Sequence, residues 1–111
     1  MNTHMLSRTL QLLFILALLT PAHAQIVAYM AIVKKDGSAN AMQFVDACVT
    51  NIKQSNRKAL NPIVAAIRYS ENGKAGKEFG ILHKRCPNTF RGQAGWCAAT
   101  VQKNYDRWLR T

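Results

Sequence analysis

The sequence predicts a mainly α, single-domain protein with a Gly-rich turn or short hairpin after its central helix. Three observations lead there. Apolar residues recur at helical spacing over residues 38–53, 62–71 and 93–109. The middle run opens on Asn61-Pro62, an N-cap followed by proline at the first helical position. Finally, Gly73, Gly76 and Gly80 cluster directly after that run, where the chain must turn.

In chain order, residues 1–24 read as a secretory signal peptide. Arg8 and the amino terminus supply positive charge, residues 12–19 are unbroken apolar sequence, and Thr20-Pro21 precedes small residues ending at Ala24. Cleavage there leaves Gln25 first, with residues 25–111 as one small domain. The apolar run falls short of the roughly 20 residues a membrane span needs. Membrane attachment is therefore expected only through an uncleaved signal segment.

Residues 25–33 are apolar and β-branched, a short strand or a disordered mature terminus. Ser38 then caps a helix with Ala41, Val45, Cys48, Val49 and Ile52 on one stripe. Residues 54–60 are a polar connector. The next helix carries Ile63, Ala66, Ile67 and Ser70 on one face, with Glu71 continuing the Ile63–Ile67 row towards the partly buried side. Asn72-Gly73 supplies a left-handed stop. The last helix presents Trp96, Cys97, Thr100, Val101, Tyr105, Trp108 and Leu109, with Lys103, Arg107 and Arg110 opposite.

Charge and cysteines bound the function. The formal charge is +10, and the leader contains only one charged side chain, Arg8, so the imbalance stays with the exported part. Such a balance favours anionic partners, and export leaves the acidic bacterial wall ahead of nucleic acid, which is not expected as a partner. Basic residues are scattered over all segments, unlike a membrane-active cationic helix. Cys48, Cys86 and Cys97 are an odd set in a chain bound for an oxidising compartment, so one disulfide and one remaining thiol are expected, with the pairing open. No pair has Cys-x-x-Cys spacing, so neither a metal nor another cofactor is expected. The glycine spacing matches no phosphate-binding fingerprint.

Glu71 is one of two glutamates, and it ends an apolar helix pattern in a strongly basic chain. Partial desolvation and the negative end of the helix dipole both disfavour the ionised carboxylate, and a protonated glutamic acid is what a general acid requires. The competing reading is a cap or surface ion pair.

The run from Ile67 through Glu71-Asn72-Gly73 to Glu78-Phe79-Gly80-Ile81-Leu82 resembles the catalytic segment of the lysozyme-like superfamily, especially soluble lytic transglycosylases and related muramidases. In that family a helix ends in Glu-Ser-Gly or a close variant, and a Gly-Leu-Met-Gln type segment then lines the cleft. The resemblance implies a small lysozyme-like helical domain, periplasmic or secreted, that cleaves peptidoglycan glycan strands with Glu71 as catalytic acid. It implies substrate contacts from Tyr69, Glu78, Phe79, Gly80, Ile81 and His83, Glu78 being the nearest second carboxylate. His83 stands where many members have glutamine. Lysozyme-like domains usually continue through further helices past the position of Thr111, which implies a minimal member or a domain shortened at its C-terminus. The alternative is a non-catalytic basic protein that binds the wall or a secretion or envelope assembly.

Overall fold

The computed structural model describes residues 21–111; most of the expected signal peptide lies outside the described residues. Four helices, α1 (Pro21–Asp36), α2 (Ser38–Asn51), α3 (Arg57–Glu71) and α4 (Phe90–Leu109), follow one another, with a 3-10 turn at Gln54–Asn56. The mainly helical expectation is met. Among the described residues there is no strand, so the Gly-rich segment is a series of turns instead of a hairpin. None of the described helices is long and apolar enough to cross a membrane.

The segment expected as a strand or disordered terminus lies within α1. Ala24, Ala28 and Ile32, four residues apart, are all buried, and this helical row outweighs the β preference of the neighbouring valines and isoleucines. The helix runs through Ala24 and Gln25, the expected cleavage junction. Gly37, with φ 87°, turns the chain into α2 and takes the cap position expected of Ser38.

On α2 the buried row is Ala41, Phe44, Ala47 and Cys48, while Val49 is exposed. Helix α3 begins at Arg57, inside the expected connector, so Pro62 lies within the helix instead of opening it. Its missing N–H gives up the bond to the Lys58 carbonyl. The face of α3 is also rotated from expectation. Leu60, Val64, Ala65 and Arg68 are buried; of the expected face Ala66 is buried and Ile67 packs against the core, whereas Ile63 and Glu71 are exposed.

Helix α4 starts at Phe90, three residues early, because the Thr89 hydroxyl accepts from the Gly92 amide, a cap typically contributing about 1 kcal/mol. It buries Phe90, Gln93, Ala94, Cys97, Ala98 and Gln102, leaving Trp108 and Leu109 exposed. The core gathers Ile32, Phe44, Cys48, Val64, Phe79, Phe90 and Cys97 from all four helices and the loop. Phe79 meets the Phe90 ring edge-on at 5.4 Å. Burying each large side chain contributes roughly 1.5–3 kcal/mol.

One polar cluster joins three parts of the chain. The Arg68 guanidinium donates to both Asp36 carboxylate oxygens, at 2.6 and 2.9 Å, and both side chains are 8% exposed. Its Nη1 also donates to the carbonyls of Glu78 at 3.1 Å and Gly73 at 3.4 Å. The end of α1, the last turn of α3 and the two ends of the first loop turn are thereby tied to one side chain. A buried pair that loses one member leaves an uncompensated charge. Arg68→Ala should therefore lower unfolding stability by about 3–5 kcal/mol in urea melts, and a loss below about 1 kcal/mol, typical of exposed pairs, would contradict this burial.

Candidate functional site

The last turn of α3 carries Glu71, and the chain then reverses through Asn72, whose φ of 45° places it in the left-handed region. The Gly73 N–H donates to the Glu78 carbonyl, and a Cβ at Gly73 would fall 1.7 Å from the Lys77 carbonyl oxygen. Only glycine allows the two strands of this loop to pass so closely.

The loop returns beneath Glu71 at Gly80. With φ 73°, Gly80 is left-handed, and a Cβ there would sit 2.6 Å from Glu71 Oε2 and 2.8 Å from Cδ. The carboxyl therefore lies directly on the Gly80 backbone. Gly80 is held from the other side by Gln93, which has no exposed surface. Gln93 Oε1 accepts from the N–H groups of Phe79 at 3.2 Å and Ile81 at 3.0 Å, and its Nε2 donates to the Ile81 carbonyl at 2.8 Å. One amide side chain thus does for this three-residue stretch what a neighbouring strand does for a sheet.

Glu71 is exposed, contrary to the partly buried setting expected from its row. Among the described residues it makes no ion pair, so the cap or salt-bridge reading is not what is seen. The other four acids are differently placed. Asp36 is held by Arg68, Asp46 pairs with Arg91 at 2.6 Å, and Asp106 pairs with Lys53 at 3.2 Å. Hydrogen bonds from Lys53 and Gln102 hold the Asp106 carboxyl below the usual range. Glu78, expected as a substrate contact and the nearest second carboxylate, is buried, with Oε1 lacking a hydrogen bond. Lys77 donates to Asn88.

The remaining expected site residues divide. Gly80 and Ile81 lie with Glu71. Tyr69 turns the other way, its hydroxyl donating to the Ala31 carbonyl of α1 at 2.8 Å and its ring under Lys35. Burial, aided by Asp36 and opposed by Arg68, raises the Tyr69 hydroxyl above its usual value. Phe79 is in the core. Phe79 has no ring face left to stack on a sugar, and Tyr69 is engaged with α1. His83 is exposed and stacks on Trp96 of α4 at 4.9 Å, its Nδ1 accepting from the Arg85 N–H.

Cys97 follows Trp96 and is buried. Burial pushes its thiol up to about 12, and the Glu71 carboxylate adds to the rise, which places Cys97 in the surroundings of the site. Burial and then Cys97 likewise push Cys48 up to about 12, against a smaller opposing effect of Arg57. Cys86 is raised by burial, with Lys77 and Gln93 acting against it, and its sulfur lies 3.5 Å from both the Gly92 carbonyl and Gln93 Nε2. All three cysteines are free thiols in this structure. Among the described residues no cluster of His, Cys, Asp and Glu could hold a metal ion.

Sequence reasoning missed Arg68 and Gln93, the two side chains that build the site. The available signal was their position: each is a long polar residue on the same helical row as apolar ones, Leu60 and Val64 for Arg68 and Phe90, Ala94 and Cys97 for Gln93.

No protein family, curated protein or solved structure matches this chain.

Two outcomes follow from the geometry. Gly80→Ala forces a left-handed non-glycine residue at a cost of about 1–2 kcal/mol, and the new methyl must displace the Glu71 carboxyl, visible as a changed carboxyl 13C shift at Glu71. An unmoved signal would mean that the carboxyl does not rest on Gly80. For the thiols, whose anions are the reactive form, iodoacetamide at about pH 8 should label Cys86 before Cys48 and Cys97, the last two only after unfolding. Counting thiols after denaturation also reports whether the disulfide expected of an exported chain forms.

Proposed function

We propose that this protein is an exported peptidoglycan-cleaving enzyme of the lytic transglycosylase or muramidase type, with Glu71 as general acid and then base. The observation that carries this reading is that Glu71 is, among the described residues, the one exposed side-chain carboxylate without an ion pair, resting on the glycine backbone of a loop held from below. The sequence resemblance around Glu71-Asn72-Gly73 points the same way, and in it Gly80-Ile81 corresponds to the cleft-lining piece of that family.

In this mechanism the Glu71 carboxyl gives its proton to the glycosidic oxygen as the bond from that oxygen to the anomeric carbon breaks. The carboxylate so formed takes a proton from the sugar's own hydroxyl, whose oxygen closes on the anomeric carbon to give an anhydro ring. The glutamate is thereby restored. Hydrolysis by an inverting or double-displacement route normally uses a second carboxylate about 5–9.5 Å away. Asp36, Asp46 and Asp106 are committed to ion pairs and Glu78 is buried, which favours the single-glutamate route.

The basic surface suits an anionic wall polymer in the periplasm or outside the cell. That same charge supports a second reading, a wall-binding protein or a component of a secretion or envelope assembly that breaks no bond. The two readings part at Glu71. The mature protein should release muropeptides from purified sacculi, with anhydro ends detected by mass spectrometry. Glu71→Gln should reduce release by about 10²-fold or more while the melting temperature stays put. If the glutamine variant releases as much as the parent, the enzymatic reading fails and the wall-binding one takes its place.

A further inference from the structure

Helices α2 and α4 lie side by side and run in the same direction. Asp46 on α2 pairs with Arg91 in the first turn of α4 at 2.6 Å, and just past the end of α2 the Lys53 N–H donates to Gln102 Oε1 at 2.9 Å. Between these two ties the helices come close. Asn51 Nδ2, held on the Ala47 carbonyl at 2.8 Å, lies only 3.5 Å from the place a Gly95 Cβ would take. The buried residues around this point are small, Ala47 on α2 and Ala94 and Ala98 on α4, and small side chains let helix axes approach.

Two of the three cysteines sit at this approach. Cys48 follows Ala47, Cys97 lies two residues after Gly95, and both are buried in the one core cluster. Burial and then Cys97 raise the Cys48 thiol, as expected of sulfurs that are near neighbours. Cys86 is set apart from them. Its Sγ donates to the Gly92 carbonyl and accepts from Gln93 Nε2, both at 3.5 Å. Joining Cys86 to a core cysteine would give up these contacts and disturb the amide that holds Phe79 and Ile81. Among the described residues, the hydrogen bonds of cysteine sulfurs all belong to Cys86, so Cys48 and Cys97 have none to lose.

All three cysteines are thiols in this structure. We propose that in the exported chain Cys48 and Cys97 are joined as a disulfide that staples α2 to α4, leaving Cys86 as the single thiol. The oxidant is itself a disulfide, of a protein or of glutathione. The thiolate of one cysteine attacks an oxidant sulfur, which forms a mixed disulfide and releases one oxidant thiol. The thiolate of the other then attacks the sulfur of the first cysteine, closing the Cys48–Cys97 bond and releasing the second oxidant thiol. Two cysteine thiols thus become one disulfide, and the oxidant disulfide becomes two thiols. Both steps need an accessible thiolate, which the finished core denies. The bond therefore closes during folding and is afterwards shielded from reductants. Its position serves the loop after α3: Cys97 is one turn beyond Gln93, so the staple fixes against α2 the helix whose amide clamps Phe79 and Ile81.

Trypsin places the three cysteines in separate peptides, residues 36–53, 86–91 and 92–103. The full chain, unfolded and reduced, is refolded in a mixture of reduced and oxidised glutathione, then unfolded in urea with iodoacetamide and digested without reductant. Mass spectrometry should find 36–53 joined to 92–103, with 86–91 carrying the alkyl cap. The oxidised protein should melt about 10 °C or more above the same chain refolded in a reductant, because the bond closes a long loop that contains all of α3. Cys86→Ala should keep both the cross-linked peptide and this gain, whereas Cys48→Ala should lose both. Residues 86–91 joined to either other peptide, caps on all three peptides, or a cross-link between two chains would overturn the pairing. An unshifted melting temperature would overturn the staple. Peptide mapping of the parent chain decides the pairing without any variant having to fold, and Glu71 takes no part in it, so the result is independent of the peptidoglycan reading.

Discussion

Arg68 reaches from the last turn of α3 to the Asp36 carboxylate at the end of α1 and to two carbonyls of the following loop. A guanidinium suits this position because its planar fork can bind a carboxylate with two N–H groups and still offer another face to the backbone. Its charge is matched by Asp36, and its remaining donors satisfy the Gly73 and Glu78 carbonyls, which flank the first loop turn. The geometry of the loop after α3 draws on this. Arg68 and the Gly73 N–H bond to the Glu78 carbonyl together gather the ends of that turn and set the chain's path back beneath Glu71.

Gln93 completes what Arg68 begins. A loop without strand partners must find bonds for its buried N–H and C=O groups elsewhere. For Phe79 and Ile81 these come from one fully buried amide on α4. With Phe79 anchored in the core beside Phe90, the backbone at Gly80 is fixed from three directions: Arg68 before it, Gln93 beside it and the aromatic pair behind it. The Glu71 carboxyl then rests on the one residue that has no side chain to push it off. Placement of a carboxyl by a rigid surround, with little side chain over it, is what the role proposed for Glu71 would require.

Helix periodicity made the central and final helices legible, and the Asn72-Gly73 and Gly80 signals located the turns. Periodicity failed where polar residues sit on buried rows. On α3 the row holding Leu60 and Val64 also holds Arg68, so the row of Ile63 and Ile67 looked more apolar and was read as the inner face. Nothing local shows that Asp36, on another helix, neutralises Arg68. Gln93 was hidden for the same reason, since its partners are backbone groups of a loop. The first helix is hidden in the sequence because its isoleucines and valines favour strands, whereas its burial follows Ala24, Ala28 and Ile32. Glu71 and Gly80 were legible as a motif, but their contact was not, because it depends on the two invisible residues. Tyr69 and Phe79 illustrate the converse: an aromatic residue beside a candidate acid is as readily claimed by the core and by α1 as by a ligand.

Amide hydrogen exchange tests most directly whether side chains from two helices hold this loop. The Phe79 and Ile81 amides belong to no helix or strand, yet their bonds to Gln93 should make them exchange orders of magnitude more slowly than the amide of Leu82, whose side chain is exposed. Exchange of all three at the same fast rate would mean that the loop is not pinned and that Glu71 has no fixed seat on Gly80.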